Sequence, residues 1–299
     1  LPRLDGVSRG LGLAADPRPA DAAARVSIHR QVCDAVDRLE LPFNALGIDP
    51  YGVSKAHLRV GFTALAAAYR HYFSVHTRGI EHVPVRGRAM LVGNHSGGVA
   101  IDAAMVITSC LLEMDPPRLA QGMAERFLNR IPIASRWASR TGQLTGLPEH
   151  AARLLEDERL LLVFPEGARG TAKLFRDRYS LVEFGSGFLR LALRTRSPIV
   201  PFAVLGAGEA FPTVANAYEL GRLLGLPYVP IPAYGLPLPL PAKVEIEFGP
   251  ALRFTGTGNE DDEVVAGYVR TVRDSIKHML DDGVRKRRGE PDALLPGRP

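Results

Sequence analysis

Two groups of residues in this 299-residue chain have the types and spacing to do chemistry, and each closes a short apolar run. The first is Gly93-Asn94-His95-Ser96-Gly97-Gly98, after Met90–Val92, with Asp102 seven positions beyond His95. The second is Pro165-Glu166-Gly167-Ala168-Arg169-Gly170, after Leu160–Phe164, with Lys173, Arg176 and Arg178 close behind. An imidazole held by a carboxylate removes a proton from a hydroxyl; the acid sets the ring tautomer and stabilises the imidazolium. An arginine offers planar donors that pair with phosphate oxygens. A His–Asp pair alone is more often structural than catalytic, so the weight rests on the combination. Ser96 is a poor nucleophile candidate, because neighbouring residues seldom align base and hydroxyl and no G-x-S-x-G elbow surrounds it. Gly185-Ser186-Gly187 and Gly206-Ala207-Gly208 lack the full dinucleotide fingerprint.

The elements that must position these groups follow from periodicity. Met90–Val92, Leu160–Phe164 and Ile199–Leu205 are unbroken apolar runs of strand length, the kind buried on both faces of a parallel sheet. Val99–Leu112 has helical apolar spacing, so His95 stands where a strand stops and a helix begins. Ligands of α/β sheets bind at such junctions. The helix start offers free N–H groups, and the glycine pair permits positive φ and close approach. Further helices are expected at Val26–Leu39, Ser54–Phe73, His150–Asp157, Phe184–Arg194 and after Asn259, which is placed to cap the last one. Phe73–Arg78, Leu119–Met123 and Lys243–Phe248 read as strands, and Pro132 breaks the basic stretch Arg126–Arg140.

The expected fold is therefore α/β, a central mostly parallel mixed sheet flanked by helices. Residues 1–25 read as a disordered arm, 26–283 as one domain and 284–299 as a basic disordered tail. Ser54–Phe73 is amphipathic with a basic component, and serves either as a core helix or as one lying on an anionic membrane. Leu220–Pro241 is apolar, rich in proline and lacks acids. It reads either as a surface element meeting lipid or lining an acyl groove, or as a buried crossover.

Hydrophobic residues make up 46% of the chain and charged residues 23%, the balance of a globular protein. The net charge of +5 favours anionic partners. Cys33 and Cys110 form no C-x-x-C pair, so no metal site is expected and buried thiols are the default. No window is long enough for a spanning helix, and the first residues lack the apolar region of a signal peptide.

Taken together, four blocks resemble the glycerolipid acyltransferase superfamily, which contains bacterial 1-acylglycerol-3-phosphate acyltransferases. Asn94-His95 with Asp102 resembles the catalytic His…Asp block. Met123–Arg130 loosely resembles the acceptor-binding block. Phe164–Gly170 is similar to the FPEGTR block, with Ala168 in place of Thr. Ser197–Gly206 is similar to the fourth block. The likeness runs from about Phe73 to Gly249.

The resemblance implies transfer of a fatty acyl group from acyl-CoA or acyl-ACP, as co-substrate rather than bound cofactor, to the hydroxyl of a glycerol-phosphate or lysophospholipid acceptor. His95 would be the general base and Asp102 its orienting partner. Asn94, Ser96, Arg126, Glu166, Gly167, Arg169 and Lys173 would line the substrate site. Expected partners are the lipid acceptor, the thioester and an anionic membrane surface, with no nucleic acid. The expected location is cytoplasmic, on the inner face of the membrane. The family pattern places the acid two positions nearer the histidine; here the Gly97-Gly98 bulge is expected to absorb the difference. The longer spacing and Ala168 also admit a neutral acceptor such as diacylglycerol. A thioesterase, or a lipid-binding protein with a degraded relay, are the remaining alternatives.

Overall fold

A computed structural model describes residues 19–124, 132–145 and 148–289. Its centre is a seven-stranded sheet in which every neighbouring pair but one is parallel. The strands are β1 (His76–Arg78), β2 (Ala89–Gly93), β3 (Ala120–Ala124), β4 (Leu144–Thr145), β5 (Leu160–Val163), β6 (Ile199–Leu205) and β9 (Glu245–Phe248). Their order is β1-β9-β6-β2-β5-β3-β4, with β6 and β9 antiparallel. The three unbroken apolar runs are adjacent: β2 pairs with β6 through Met90–Ile199 and with β5 through Met90–Leu161. Such strands need cover on both faces, and helices supply it.

Alternation along the strands divides the core in two. Leu91, Leu160 and Leu162 face a cluster with Leu58, Phe62 and Met105. Met90, Val92 and Leu161 face the other, with Leu154, Leu189, Val272 and Ile276. The first face is covered by α1 (Pro19–Asp37), α2 (Lys55–Ala67) and α3 (Ile101–Glu113). The second is covered by α5 (Pro148–Glu156), α7 (Gly187–Thr195) and α10 (Asp262–Arg287). A fourth helix, α4 (Pro132–Arg140), starts at Pro132, where a missing N–H costs nothing. Cys110 is buried, and burial pushes its thiol up to about 12.

Several boundaries differ from expectation. Helix α1 begins at Pro19, inside the expected arm, and residues 1–18 lie outside the described ones. Helix α2 stops at Ala67 and continues as a π-helical turn, Ala68–Tyr72. Its apolar stripe, Leu58, Phe62, Ala66 and then Tyr69, is buried in the core. Its cations are used inside the protein: Lys55 and Arg59 pair with Asp37 of α1, and Arg70 pairs with Glu113 of α3. The last helix starts at Asp262 rather than at an Asn259 cap, because Glu260 takes the N–H of Gly258 in a turn before it.

The expected basic tail is helical as far as Arg287, whose guanidinium reaches Glu209, Glu245 and the Tyr179 hydroxyl. These partners lie 42 to 108 positions away in sequence, so the chain's end showed no sign of them. Residues 290–299 lie outside the described ones.

The proline-rich stretch folds as α9 (Tyr218–Leu224) and strand β8 (Val229–Pro232). Strand β8 pairs antiparallel with β7 (Thr213–Ala217) in a separate two-stranded sheet. Both strands of a two-stranded sheet are edges, which is why Pro230 and Pro232 are tolerated. Two short helices, α6 (Ala168–Thr171) and α8 (Ala207–Ala210), follow the ends of β5 and β6.

Candidate active site

The site forms where β2 and β5 end. Gly93 closes β2 with the Phe202 ring so near that an added Cβ would lie 2.2 Å from it. Asn94 follows, fully buried, and its side-chain amide spans Val204 of β6: Nδ2 donates to the Val204 carbonyl at 3.0 Å and Oδ1 accepts from its N–H at 2.8 Å. Asn94 thus continues the β2–β6 ladder one residue beyond the strand. With both ends of the amide occupied, it does not face a substrate, contrary to expectation. Ser96, also expected there, is buried as well.

His95 Nδ1 lies 2.8 Å from Asp102 Oδ2. Asp102 is fully buried in the first turn of α3, and its carboxylate also accepts from the N–H groups of Ser96 and Ala103, each at 2.8 Å. An ionised carboxylate only accepts, so Nδ1 carries the proton and Nε2 has the lone pair. The two additional residues are taken up in the Gly97–Ala100 turn. Gly97 and Gly98 have φ of 95° and 65°, and an added Cβ on Gly97 would stand 2.6 Å from the Ala207 carbonyl oxygen. The acid therefore reaches the imidazole despite the longer loop. The imidazole is stacked on Phe164, ring centroids 4.0 Å apart and 12° from parallel.

Glu166 comes from the loop after β5 and is buried beneath His95. Its Oε1 accepts from the His95 backbone N–H at 2.8 Å, and its Oε2 accepts from the Val182 N–H at 2.9 Å. Lys173 Nζ donates to both carboxylate oxygens, at 3.2 and 2.9 Å, and to the Ser180 carbonyl at 2.8 Å. An ammonium has three protons, so these bonds use its whole capacity. Lys173, expected to line the substrate site, is instead a buried counter-ion that ties Glu166 down.

Gly170 fits between the two groups, where an added Cβ would be 2.7 Å from His95 Cβ and 2.8 Å from Glu166 Cβ. Arg169, one residue earlier, is exposed, with Nη2 donating to the Glu183 carbonyl at 3.0 Å. Gly167 turns the loop at a φ of 56°. Arg126 and most of the second block lie outside the described residues.

The structure thus brings His95, Asp102, Glu166 and the Gly167–Gly170 turn to one place. Sequence reasoning missed the Phe164 platform, although Phe164 immediately precedes the Pro-Glu-Gly turn. It also missed a second tie: Gly98 N–H donates to the Thr171 carbonyl at 3.1 Å, and the Tyr228 hydroxyl to that residue's Oγ1. Among the described residues, no three His, Cys, Asp or Glu side chains gather as a metal site would require, and no helix is long and apolar enough to cross a membrane.

The fold is of the kind seen in a solved acyltransferase, and part of the chain matches the acyltransferase family. The family model described as Acyltransferase matches residues 74–205, which run from just past the π-helical turn to the end of β6. The chain is similar to uncharacterized proteins of Mycobacterium bovis and Mycobacterium tuberculosis, each 34% identical over 222 residues, covering 71% of this chain and 62% of theirs. A Mycobacterium leprae protein is 32% identical, covering 71% of this chain and 60% of its own length. The chain thus spans about three-fifths of these relatives. The fold is similar to the crystal structure of the 1-acyl-sn-glycerophosphate acyltransferase PlsC from Thermotoga maritima, with a TM-score of 0.50 and 18% identity over 76% of this chain and 80% of that one.

Proposed function

We propose that the protein is an O-acyltransferase that moves a fatty acyl group from acyl-CoA or acyl-ACP to a hydroxyl of a glycerol-phosphate or lysophospholipid acceptor. The observation that carries this reading is the 2.8 Å contact from His95 Nδ1 to the buried Asp102 carboxylate, which leaves Nε2 as the basic nitrogen. The 1-acylglycerophosphate for which the Thermotoga maritima PlsC is named supports the acceptor class.

In this reading Nε2 takes the acceptor hydroxyl proton while the oxygen attacks the thioester carbonyl carbon. The tetrahedral oxyanion collapses, the C–S bond breaks, and the imidazolium returns the proton to the leaving thiolate. Asp102 holds the ring and stabilises its charged form. The thioester is already activated, so His95 needs no covalent intermediate. Arg169, exposed on the loop beside His95, serves the acceptor phosphate through its planar donors. Glu166 and Lys173 position the His95 backbone.

The engagement of Lys173 favours a second acceptor class. With that cation committed to Glu166 and Ala168 lacking a hydroxyl, a neutral glycerolipid such as diacylglycerol suits the same base. The reading places the reaction at the inner face of an anionic membrane, supported by the net charge of +5.

The test is product mass spectrometry. Lysophosphatidic acid, other lysophospholipids, glycerol 3-phosphate and diacylglycerol are each offered with one acyl-CoA and one acyl-ACP. Acylated product from wild type is expected to fall about 10²- to 10⁴-fold in Asp102→Asn and further in His95→Ala, with the fold intact. Free fatty acid as the sole product, or wild-type turnover by His95→Ala, overturns the proposal.

A further inference from the structure

The apolar side chains left exposed are not scattered. Nine of the seventeen large ones among the described residues fall within residues 214–240. Leu223 is 82% exposed, Leu238 67%, Leu236 61% and Leu224 57%, with Tyr218 and Ile231 also open. They are shared among α9, strand β8 and the loop that follows. Isolated exposed leucines are ordinary, but such a concentration marks an interaction surface.

Three observations identify the partner. Between Glu219 and Glu245 the chain has no acidic residue, and its two cations stand at the ends, Arg222 3.0 Å from Glu219 and Lys243 4.0 Å from Glu245. Six prolines between residues 227 and 241 restrict the backbone, so the leucines are held out rather than free to collapse inward. The unit is also joined to the candidate active site. The Asn216 amide donates to the Ala172 carbonyl at 2.7 Å, the Tyr228 hydroxyl donates to Thr171 Oγ1, and Thr213 Oγ1 and the Phe211 ring abut Gly98. One residue separates Gly98 from Ser96, and Gly170 touches His95. The apolar unit and the base are therefore neighbours.

We infer that residues 214–241 form a membrane-docking element that seats its leucines in one leaflet of an anionic bilayer, beside His95. The inference deepens the acyl-transfer reading by naming the surface through which a lipid substrate would arrive. The sequence offered both Ser54–Phe73 and Leu220–Pro241 as lipid-facing candidates; the apolar stripe of α2 is buried, which leaves the second. Leucine burial at the acyl boundary supplies the attraction, and Arg222 and Lys243 add a salt-sensitive share from anionic headgroups.

The experiment is flotation of the full chain with vesicles of phosphatidylcholine alone and of phosphatidylcholine with phosphatidylglycerol. The variants are Leu223→Glu/Leu238→Glu and, as a control, Val60→Glu on the open side of α2. All three positions are exposed, and unchanged thermal unfolding confirms that each variant folds. Wild type and Val60→Glu are expected to float with the anionic vesicles, and the double variant to bind them at least about tenfold more weakly. Wild type that does not float, or a double variant that floats like wild type, overturns the inference. So does a wild-type dimer in solution that the double variant dissociates, which would make the surface an interface between copies. A soluble short-chain acceptor separates the two readings: failure to acylate it while flotation persists counts against acyl transfer and leaves docking standing.

Discussion

Glu166 Oε1 accepts the backbone N–H of His95 at 2.8 Å, across 71 positions of sequence. The same carboxylate is held from below by Lys173, and both side chains are at most 3% exposed. The loop after β5 therefore sets the height of the loop after β2. A buried ion pair of this kind fixes a conformation more than it adds stability, since desolvation offsets much of the attraction.

Removing one half of that pair is costly. Lys173→Met leaves the Glu166 carboxylate buried without its counter-ion, and a loss of about 3–5 kcal/mol is expected from denaturant unfolding. Adding Glu166→Gln to Lys173→Met removes the stranded charge and should recover part of the loss. A single variant as stable as wild type would show that the pair contributes little to holding the two loops.

Gly170 is the contact point between those loops. Gly170→Ala puts a methyl 2.7 Å from His95 Cβ, so the imidazole must shift. A displacement near 1 Å costs reacting groups on the order of 100-fold in rate, and turnover should fall by that order while the fold survives. Unaltered turnover would mean that the exact seat of His95 does not matter.

Asn94 is expected to act on stability. Asn94→Leu strands the N–H and carbonyl of Val204, both met by the amide at 2.8 and 3.0 Å. Each unsatisfied buried group costs about 1–3 kcal/mol, so the unfolding free energy should drop by at least that much. Substrate affinity measured on the folded fraction should change little, in contrast with a residue lining the acceptor site.

Tyrosines govern the alkaline limb of stability. Burial, then a hydrogen bond to Asp157, raises Tyr51 from the ordinary 10.0 to about 12. Burial, then a bond to Glu209, does the same for Tyr179. The unfolded chain gives up these protons first. The stabilisation is fully present below about pH 10 and is lost as the pH rises toward about 12. Urea midpoints from about pH 9 to about pH 11 should therefore decline in wild type and decline less steeply in Tyr179→Phe. A flat wild-type profile would contradict the assignment.

Much of the fold was legible because it is local. The runs at Met90–Val92, Leu160–Phe164 and Ile199–Leu205 are apolar at every position, a pattern that suits a strand covered on both faces. They form three adjacent strands. The glycine pair after His95 announced the turn, and both glycines have the positive φ it requires. Boundaries fared less well, because tertiary partners set them. Helix α10 continues to Arg287 on account of Glu209 and Glu245, and α2 turns its basic residues to α1 and α3 instead of to a membrane.

By itself the sequence determined the kinds of group present and where strands give way to turns: an imidazole and a carboxylate after one strand, a glutamate and an arginine after another. Only the tertiary structure decided what each of them faces. Asn94, Ser96 and Lys173 look as available as Arg169 in one dimension, yet Asn94 is buried against β6, Ser96 is buried beside Asp102 and Lys173 beside Glu166, while Arg169 stays open. The physical reason is that the direction of a polar side chain depends on its hydrogen-bond partners. Those partners come from strands and loops that are distant along the chain and adjacent only once it has folded.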